Sequence, residues 1–453
     1  MNKGVAAQPK QLKGRLICAA TQLTSAVSKP TPSAPVKTQS LWSQLGPGLI
    51  TGAADDDPSG IATYSQAGAK FGYGILWTAF FTFPLMVGIQ TVSARIGRVT
   101  GDGLAANIRR HYPPWLLYGI VTLLLVANTI NIAADIGAMG AALKLLIGGP
   151  AHWYAIGFGL SSLLLQIFVP FSRYAPFLKA LTMALLAYVA TVFVVKAPWG
   201  EVFYGTVMPT LSLKADYLVA VVAVFGTTIS PYLFFWQASQ EVEDQRATLG
   251  EEPLMEAPEQ ALAQLLRIKI DTYIGMGFSN LVAFFIMLTA AVTLHSQGIT
   301  DIQTSAQAAQ ALRPLAGEFA FALFTAGIVG TGLLAVPILA GSAAYAVSEA
   351  FKWHIGLGLE LLQARGFYTI VAIATILGVA LNFTPVDPIK ALFWSAVING
   401  IISVPIMIVM MLIAVRVDIM GEFVISPRLT ILGWLATLSM AIVVIAMVAT
   451  WGH

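Results

Sequence analysis

Apolar residues run along this chain in long blocks of helix-spanning length, separated by short polar connections. A bilayer core about 30 Å thick needs about 20 mostly apolar helical residues per crossing. Eleven stretches meet that length: roughly 47–70, 75–95, 115–146, 154–170, 177–195, 217–238, 270–294, 317–350, 367–383, 390–415 and 429–449. The alternating pattern of a membrane barrel is missing, so the pattern predicts an all-α polytopic bundle. Two of the blocks are interrupted. In the first, "TGAADDDPSG" places Pro58 at mid-span with Gly52 and Gly60 on either side. In the sixth, "AVFGTTISPYLFFWQ" interrupts the apolar run with Gly226, Thr227, Thr228, Ser230 and Pro231. A proline ring has no N–H and breaks the helical ladder.

Pro58 and Pro231 stand 173 residues and five spans apart, so the second broken helix enters from the opposite side. That arrangement fits inverted repeats of five helices, with ion-capable unwound backbone at both breaks. The repeats are expected over 45–197 and 216–415, inside a domain of 45–450, with an extra peripheral helix over 428–450.

Composition agrees with a membrane protein: mean hydropathy is +0.77 and only 10 % of residues are charged, against about 25 % in soluble domains. The net charge of +3 says little, but its placement orients the chain. With the N-terminus cytoplasmic, inward segments hold 19 of the 25 Lys and Arg, which predicts an external C-terminus. Residues 1–44 are basic and rich in polar residues, and read as a disordered cytoplasmic tail. The single cysteine, Cys18, rules out an intrachain disulfide.

Asp55, Asp56 and Asp57 are the chemistry that stands out. A carboxylate at mid-span costs roughly 2.5–3.5 kcal/mol on insertion scales, so such groups face a cavity or a partner. The spans offer them no Lys or Arg, which leaves a cation from solution as counter-charge. Successive helical residues are about 100° apart, so three in a row cannot all face one ion. Asp57, beside the break, is the expected direct ligand; Asp55 and Asp56 are expected to line its approach or to hold water around it.

These residues are similar to those of a known family. "GPGLITGAADDDPSG" resembles the first-helix signature of the Nramp divalent-metal transporters, "GTTISPYLFFWQ" stands where that family has its sixth-helix metal-binding stretch, and "NIAADIGAMGAA" resembles its third-helix segment around Asp135. The resemblance implies a LeuT-type fold of 11 transmembrane helices with helices 1 and 6 broken, working by alternating access. It also implies a metal site of Asp57, Ala54, Gly60, Thr227, Thr228 and Ser230. Ser59, Asn131, Asp135, Tyr232, Gln237 and Asn399 would then stand around it or along the ion's path, with Asp55 and Asp56.

The departures from the family pattern carry further expectations. Asp-Pro-Gly-Asn has become Asp57-Pro58-Ser59-Gly60, and Ala, Met and His of the sixth helix have become Thr227, Ser230 and Tyr232. A second histidine would fall at Gln237, and a third-helix acid at Ala138. A thioether discriminates against hard cations, and Ser230 removes that filter. Small residues at these positions imply a wider, hydrated hollow suited to Mg²⁺, which keeps its water. This matches the Nramp-related magnesium transporters. The expected function is Mg²⁺ uptake, with Mn²⁺ also carried, and weak or no proton coupling. The alternatives are a proton-coupled Mn²⁺/Fe²⁺ symporter with Asp135 carrying the proton, and a sodium-coupled organic solute carrier, against which three acids at the break argue.

No cofactor other than the transported ion, no nucleic acid and no obligatory protein partner is expected. An enzyme is not expected either, since no nucleophile, base and orienter converge. The expected location is a bacterial inner membrane. Lesser expectations are a solvated acidic turn in "EVEDQRATLGEEP", close packing at "GIVGTGLL", a tight turn at "NFTPVDPIK", and a polar wall of Asn399 with Ser403.

Overall fold

The computed structural model describes residues 46–450, and every regular element in them is helical. The expected tail over 1–44, with Cys18, lies outside the described residues. The described chain falls in one compact unit. In order, its α-helices of eight residues or more are α1 (Pro47–Asp55), α2 (Pro58–Phe71), α3 (Trp77–Thr100), α4 (Leu104–His111), α5 (Pro114–Ile147), α6 (Ala151–Phe168), α7 (Phe171–Thr182), α8 (Leu186–Val194), α9 (Trp199–Val207), α10 (Ala215–Thr228), α11 (Pro231–Ala247), α12 (Ala261–Thr293), α13 (Ala320–Phe351), α14 (Arg365–Leu381), α15 (Pro388–Ala414) and α16 (Pro427–Thr450).

Nine helical stretches among the described residues are long and apolar enough to cross a membrane. One of these, Ala215–Ala247, takes in both halves of the sixth expected span. The other two expected spans hold the α1/α2 pair and the 17-residue α14.

Both expected breaks are present, and each has the same construction. α2 begins with Pro58 after an extended Asp57 (ψ 172°), and α11 begins with Pro231 after an extended Ser230 (ψ 129°). Proline suits the first helical position, where its absent N–H has no partner to lose. Pro84, Pro337 and Pro405 behave differently, since each lies inside a continuous helix. A proline alone therefore does not break a span here; at the two breaks it directly follows a polar residue, Asp57 or Ser230, whereas Pro84, Pro337 and Pro405 follow Phe83, Val336 and Val404.

Glycine brings the broken helices close to their supports. A Cβ on Gly52 would overlap the Gly275 backbone of α12, and one on Gly226 would overlap the Ala396 carbonyl and Gly400 of α15. Such backbone approaches are open only to the smallest residues. In α13, Gly332 packs on Met139 of α5, which makes "GIVGTGLL" a packing stripe. The α14–α15 connection is tight, with Asp387 accepting from the Ile389 and Lys390 N–H groups at 2.9 and 3.3 Å.

The acidic stretch after residue 240 corrects one expectation. Its first half continues α11 to Ala247, with Glu241 and Gln245 buried, and the exposed turn is confined to residues 248–250. Glu241 pairs with Arg267, and Glu251 with Arg98 at 2.7 Å. α11 carries Glu241 beneath the surface, where a buried carboxylate needs a basic partner.

Gly52→Ala is expected to force α1 from α12 and to destabilise the protein by about 1–3 kcal/mol. A fall in the melting temperature of the detergent-solubilised protein checks this; an unchanged melting temperature would mean that the contact is not tight.

Candidate functional site

The two breaks meet through side chains that answer each other's backbone. Asp57 caps α2: its Oδ1 accepts from the Gly60 N–H and from the Ser59 hydroxyl, each at 2.7 Å. Its Oδ2 lies 3.5 Å from the Tyr232 hydroxyl, which donates to the Ala54 carbonyl at 3.0 Å. Tyr232 is the second residue of α11, so one phenol ties the end of α1 to the start of α11. On the other break, the Ser230 hydroxyl donates to the Gly226 and Thr227 carbonyls at 2.9 and 2.8 Å. Thr228 turns away, donating to Val224 and Phe225 carbonyls of its own helix.

Gly60 does not open a hollow. A Cβ there would stand 3.2 Å from Thr227 Oγ1 and 3.3 Å from the Asp55 carbonyl, so the missing side chain lets the two breaks touch. This corrects the expectation of a wider space at Gly60.

The three aspartates diverge as consecutive residues must. Their exposures are 0 %, 1 % and 1 %, so none meets solvent directly. Asp57 faces α2 and α11. Asp55 Oδ2 and Asp56 Oδ1 instead receive the Ser279 hydroxyl of α12, at 2.6 and 3.3 Å. Among the described residues no group of three or more His, Cys, Asp or Glu is placed to hold a metal. Beside the Asp57 carboxylate stand the Ala54 carbonyl and the Ser59 and Tyr232 hydroxyls.

Asp135 and Asn131, one turn apart on α5, are buried and have no hydrogen-bond partner for their side chains. Asp135 is within electrostatic reach of Asp57 and of the Ser59 N–H. Gln237 is not at the breaks: it accepts from Gln90 at 2.5 Å and donates to Thr272 at 3.2 Å, in a network joining α3, α11 and α12. Asn399 is buried and unpartnered, and the Ser403 hydroxyl donates to the Gly400 carbonyl of its own helix.

A cavity of about 510 Å³ runs between α2, α10 and α15, lined by Ala62, Gln66, Lys70, Asp216, Ala220 and Trp394 among others. Ala62 stands two residues beyond Gly60. The Lys70 ammonium and the Asp216 carboxylate pair at 2.8 Å across it. At the other end of the broken helix, Asp271 of α12 accepts from the Gly48 and Leu49 N–H groups at 2.6 and 3.0 Å.

The sequence model of the family described as "Natural resistance-associated macrophage protein-like", Nramp, matches residues 48–450. The chain belongs to the Nramp family.

Members of this family are transporters, and the chain is accordingly not an enzyme. Two curated Nramp relatives carry the name "Divalent metal cation transporter MntH". That of Deinococcus radiodurans is 27 % identical over 412 residues, 89 % of this chain and 88 % of its own. That of Klebsiella pneumoniae (strain 342) is 27 % identical over 398 residues, 86 % and 90 %. The solved Eremococcus coleocola manganese transporter, in complex with an aromatic bis-isothiourea substituted compound, aligns at a TM-score of 0.71 and 16 % identity over 93 % of this chain and 89 % of that one. The nucleobase-cation-symport-1 transporter Mhp1 aligns at 0.52 and 14 % identity, over 90 % and 92 %. These likenesses establish a LeuT-type fold.

Sequence reasoning missed Ser279, Tyr64, Gln90 and Asp271. Ser279, Gln90 and Asp271 each bond a residue distant in the chain, 224 residues for Ser279 and Asp55, and Tyr64 packs beside Gly60. Only their cost in a membrane marks them.

The cap gives Asp57 a structural duty that is separable from its charge. Asn serves as an N-cap about as well as Asp, whereas loss of a cap costs about 0.5–2 kcal/mol. Asp57→Asn is expected to keep the wild-type melting temperature, and Asp57→Ala to lower it. Equal melting of both variants would show that the cap contributes nothing.

Proposed function

We propose that this Nramp protein carries divalent cations through a bacterial inner membrane by alternating access, Mg²⁺ first and Mn²⁺ as well, with weak or no proton coupling. The observation that carries the reading is the donor set at the breaks: the Asp57 carboxylate, the Ala54 carbonyl and the Thr227 and Ser230 hydroxyls, with no sulfur or imidazole beside them. Hard oxygen donors and a single charge suit an ion that keeps several of its waters. Metal ions are the substrate here, and the protein's part is to replace some of those waters. The names of the MntH relatives support divalent-cation transport, whichever ion is preferred.

Alternating access has support at both ends of the broken helices. On one side the cavity reaches Ala62, near Gly60, under the Lys70–Asp216 pair. On the other, Asp271 holds α1 while Gln90, Gln237 and Thr272 tie three helices together. Passage requires these two sets of contacts to open in turn. The remaining architectural reading is eleven crossings, with α1/α2 and α14 among them, inverted repeats over 45–197 and 216–415, a cytoplasmic N-terminus and an external C-terminus.

A second reading, proton-coupled manganese symport, is favoured by one observation: Asp135 is a buried, unpartnered carboxyl near Asp57. The manganese transporter of Eremococcus coleocola supplies the fold analogy for it. A sodium-coupled organic solute carrier is disfavoured by the acids at the break.

Uptake into proteoliposomes tests the proposal. Mg²⁺ is expected to enter and to compete with Mn²⁺, and Asp57→Asn to abolish both fluxes. Ser230→Met is expected to shift competition towards Mn²⁺. Strong Mn²⁺ uptake with no Mg²⁺ flux, or acidification of the lumen during uptake, would favour the second reading.

A further inference from the structure

We propose that Lys70 guards the ion's entry path: its ammonium repels cations at the mouth of the cavity until one of them takes its place on the Asp216 carboxylate. The lining of this cavity of about 510 Å³ includes two basic residues, Lys70 and Lys390, and two acidic ones, Asp216 and Asp301. Lys390 enters no ion pair among the described residues. Asp301 is engaged by the Gln66 and Gln303 side-chain amides at 3.3 and 2.9 Å. Lys70 and Asp216 pair with each other across the space between α2 and α10.

The helices place this pair on the way to the breaks. Ala62, Gln66 and Lys70 stand four residues apart along α2 and share the face that lines the cavity. Asp216 and Ala220 do the same on α10. Lys70 is ten residues past Gly60 and Asp216 eleven before Thr227, so at about 1.5 Å per residue each helix runs roughly 15 to 17 Å from break to mouth. The two helices meet at both ends of that run. At the breaks a Cβ on Gly60 would stand 3.2 Å from Thr227 Oγ1, and at the mouth the Lys70 ammonium meets the Asp216 carboxylate at 2.8 Å. A cation coming down the cavity passes the pair first.

The pair is suited to exchange. Its side chains are 37 % and 75 % exposed, and an exposed ion pair contributes little to stability. The ammonium also lies 5.8 Å over the Phe71 ring, a second contact that keeps it at the mouth. At equal distance a doubly charged ion is drawn to the carboxylate about twice as strongly as an ammonium, Na⁺ or K⁺. Divalent ions therefore displace Lys70 more readily than monovalent ones do, before either reaches Asp57.

The inference rests on the chain carrying divalent cations, and not on which ion it prefers or on Asp57 as ligand. Mn²⁺ uptake by the full chain in proteoliposomes, measured as rate against concentration, tests it. Lys70→Gln and Asp216→Asn break the same ion pair, yet they are expected to act in opposite directions. Lys70→Gln lowers KM about threefold to fivefold, and Asp216→Asn, which leaves the ammonium unpaired, raises it by a similar factor. Both shifts shrink when choline chloride raises the ionic strength, and Lys70→Arg keeps the wild-type KM. Shifts in the same direction for both variants, or none in either, would overturn the inference and leave divalent transport standing. Absence of both Mn²⁺ and Mg²⁺ uptake by the wild type would overturn the proposed function and this inference with it.

Discussion

A helix inside a bilayer cannot be interrupted unless every backbone group the interruption frees finds another partner. The rest of this molecule is arranged around meeting that demand twice. At the first break Asp57 takes the Gly60 N–H, Tyr232 takes the Ala54 carbonyl, and Pro58 has no N–H to satisfy. At the second, the Ser230 hydroxyl reaches back to two carbonyls, and Pro231 plays the part of Pro58. Past that break, side chains of α3 and α13 come in from outside. Gln90, Ser93 and Ser342 bond the carbonyls of Leu233, Phe234 and Tyr232. The breaks are thus held by neighbouring helices, which brings those helices into any movement that opens the site.

The same constraint explains where charge is tolerated. A carboxylate that caps a helix is already partly compensated, since backbone N–H groups favour its charged form. Asp57 and Asp271 both have that support, one at each end of the first span's first half. Asp55, Asp56 and Asp135 have less of it, and their free oxygens are what an aqueous cation or a proton would find.

Much of this was legible in the sequence, and the reason is physical. Length and apolarity disclose crossings because the bilayer sets both; α5 and α13 begin and end within a few residues of the expected bounds. The breaks were legible because Pro58 and Pro231 follow small polar residues. Pro84, Pro337 and Pro405 directly follow Phe83, Val336 and Val404 instead, and stay inside their helices. The residues proposed for the site were named from the family resemblance together with the two breaks. What stayed hidden was pairing across the bundle. Ser279 and Asp271 give no local sign of their partners, and Gly60 reads as space until Thr227 is seen against it. The acids after residue 240 misled for a related reason: their basic partners, Arg98 and Arg267, belong to other helices.

The central claim is that a carboxylate at a helix break binds the transported ion directly, with backbone and hydroxyl oxygens beside it. The most direct test is a crystal structure of the protein loaded with Mn²⁺, with the metal located by its anomalous scattering. The account predicts a peak in direct contact with the Asp57 carboxylate and the Ala54 carbonyl, absent from Asp57→Asn crystals. A peak that persists in that variant, or bound metal that never touches Asp57, would contradict it.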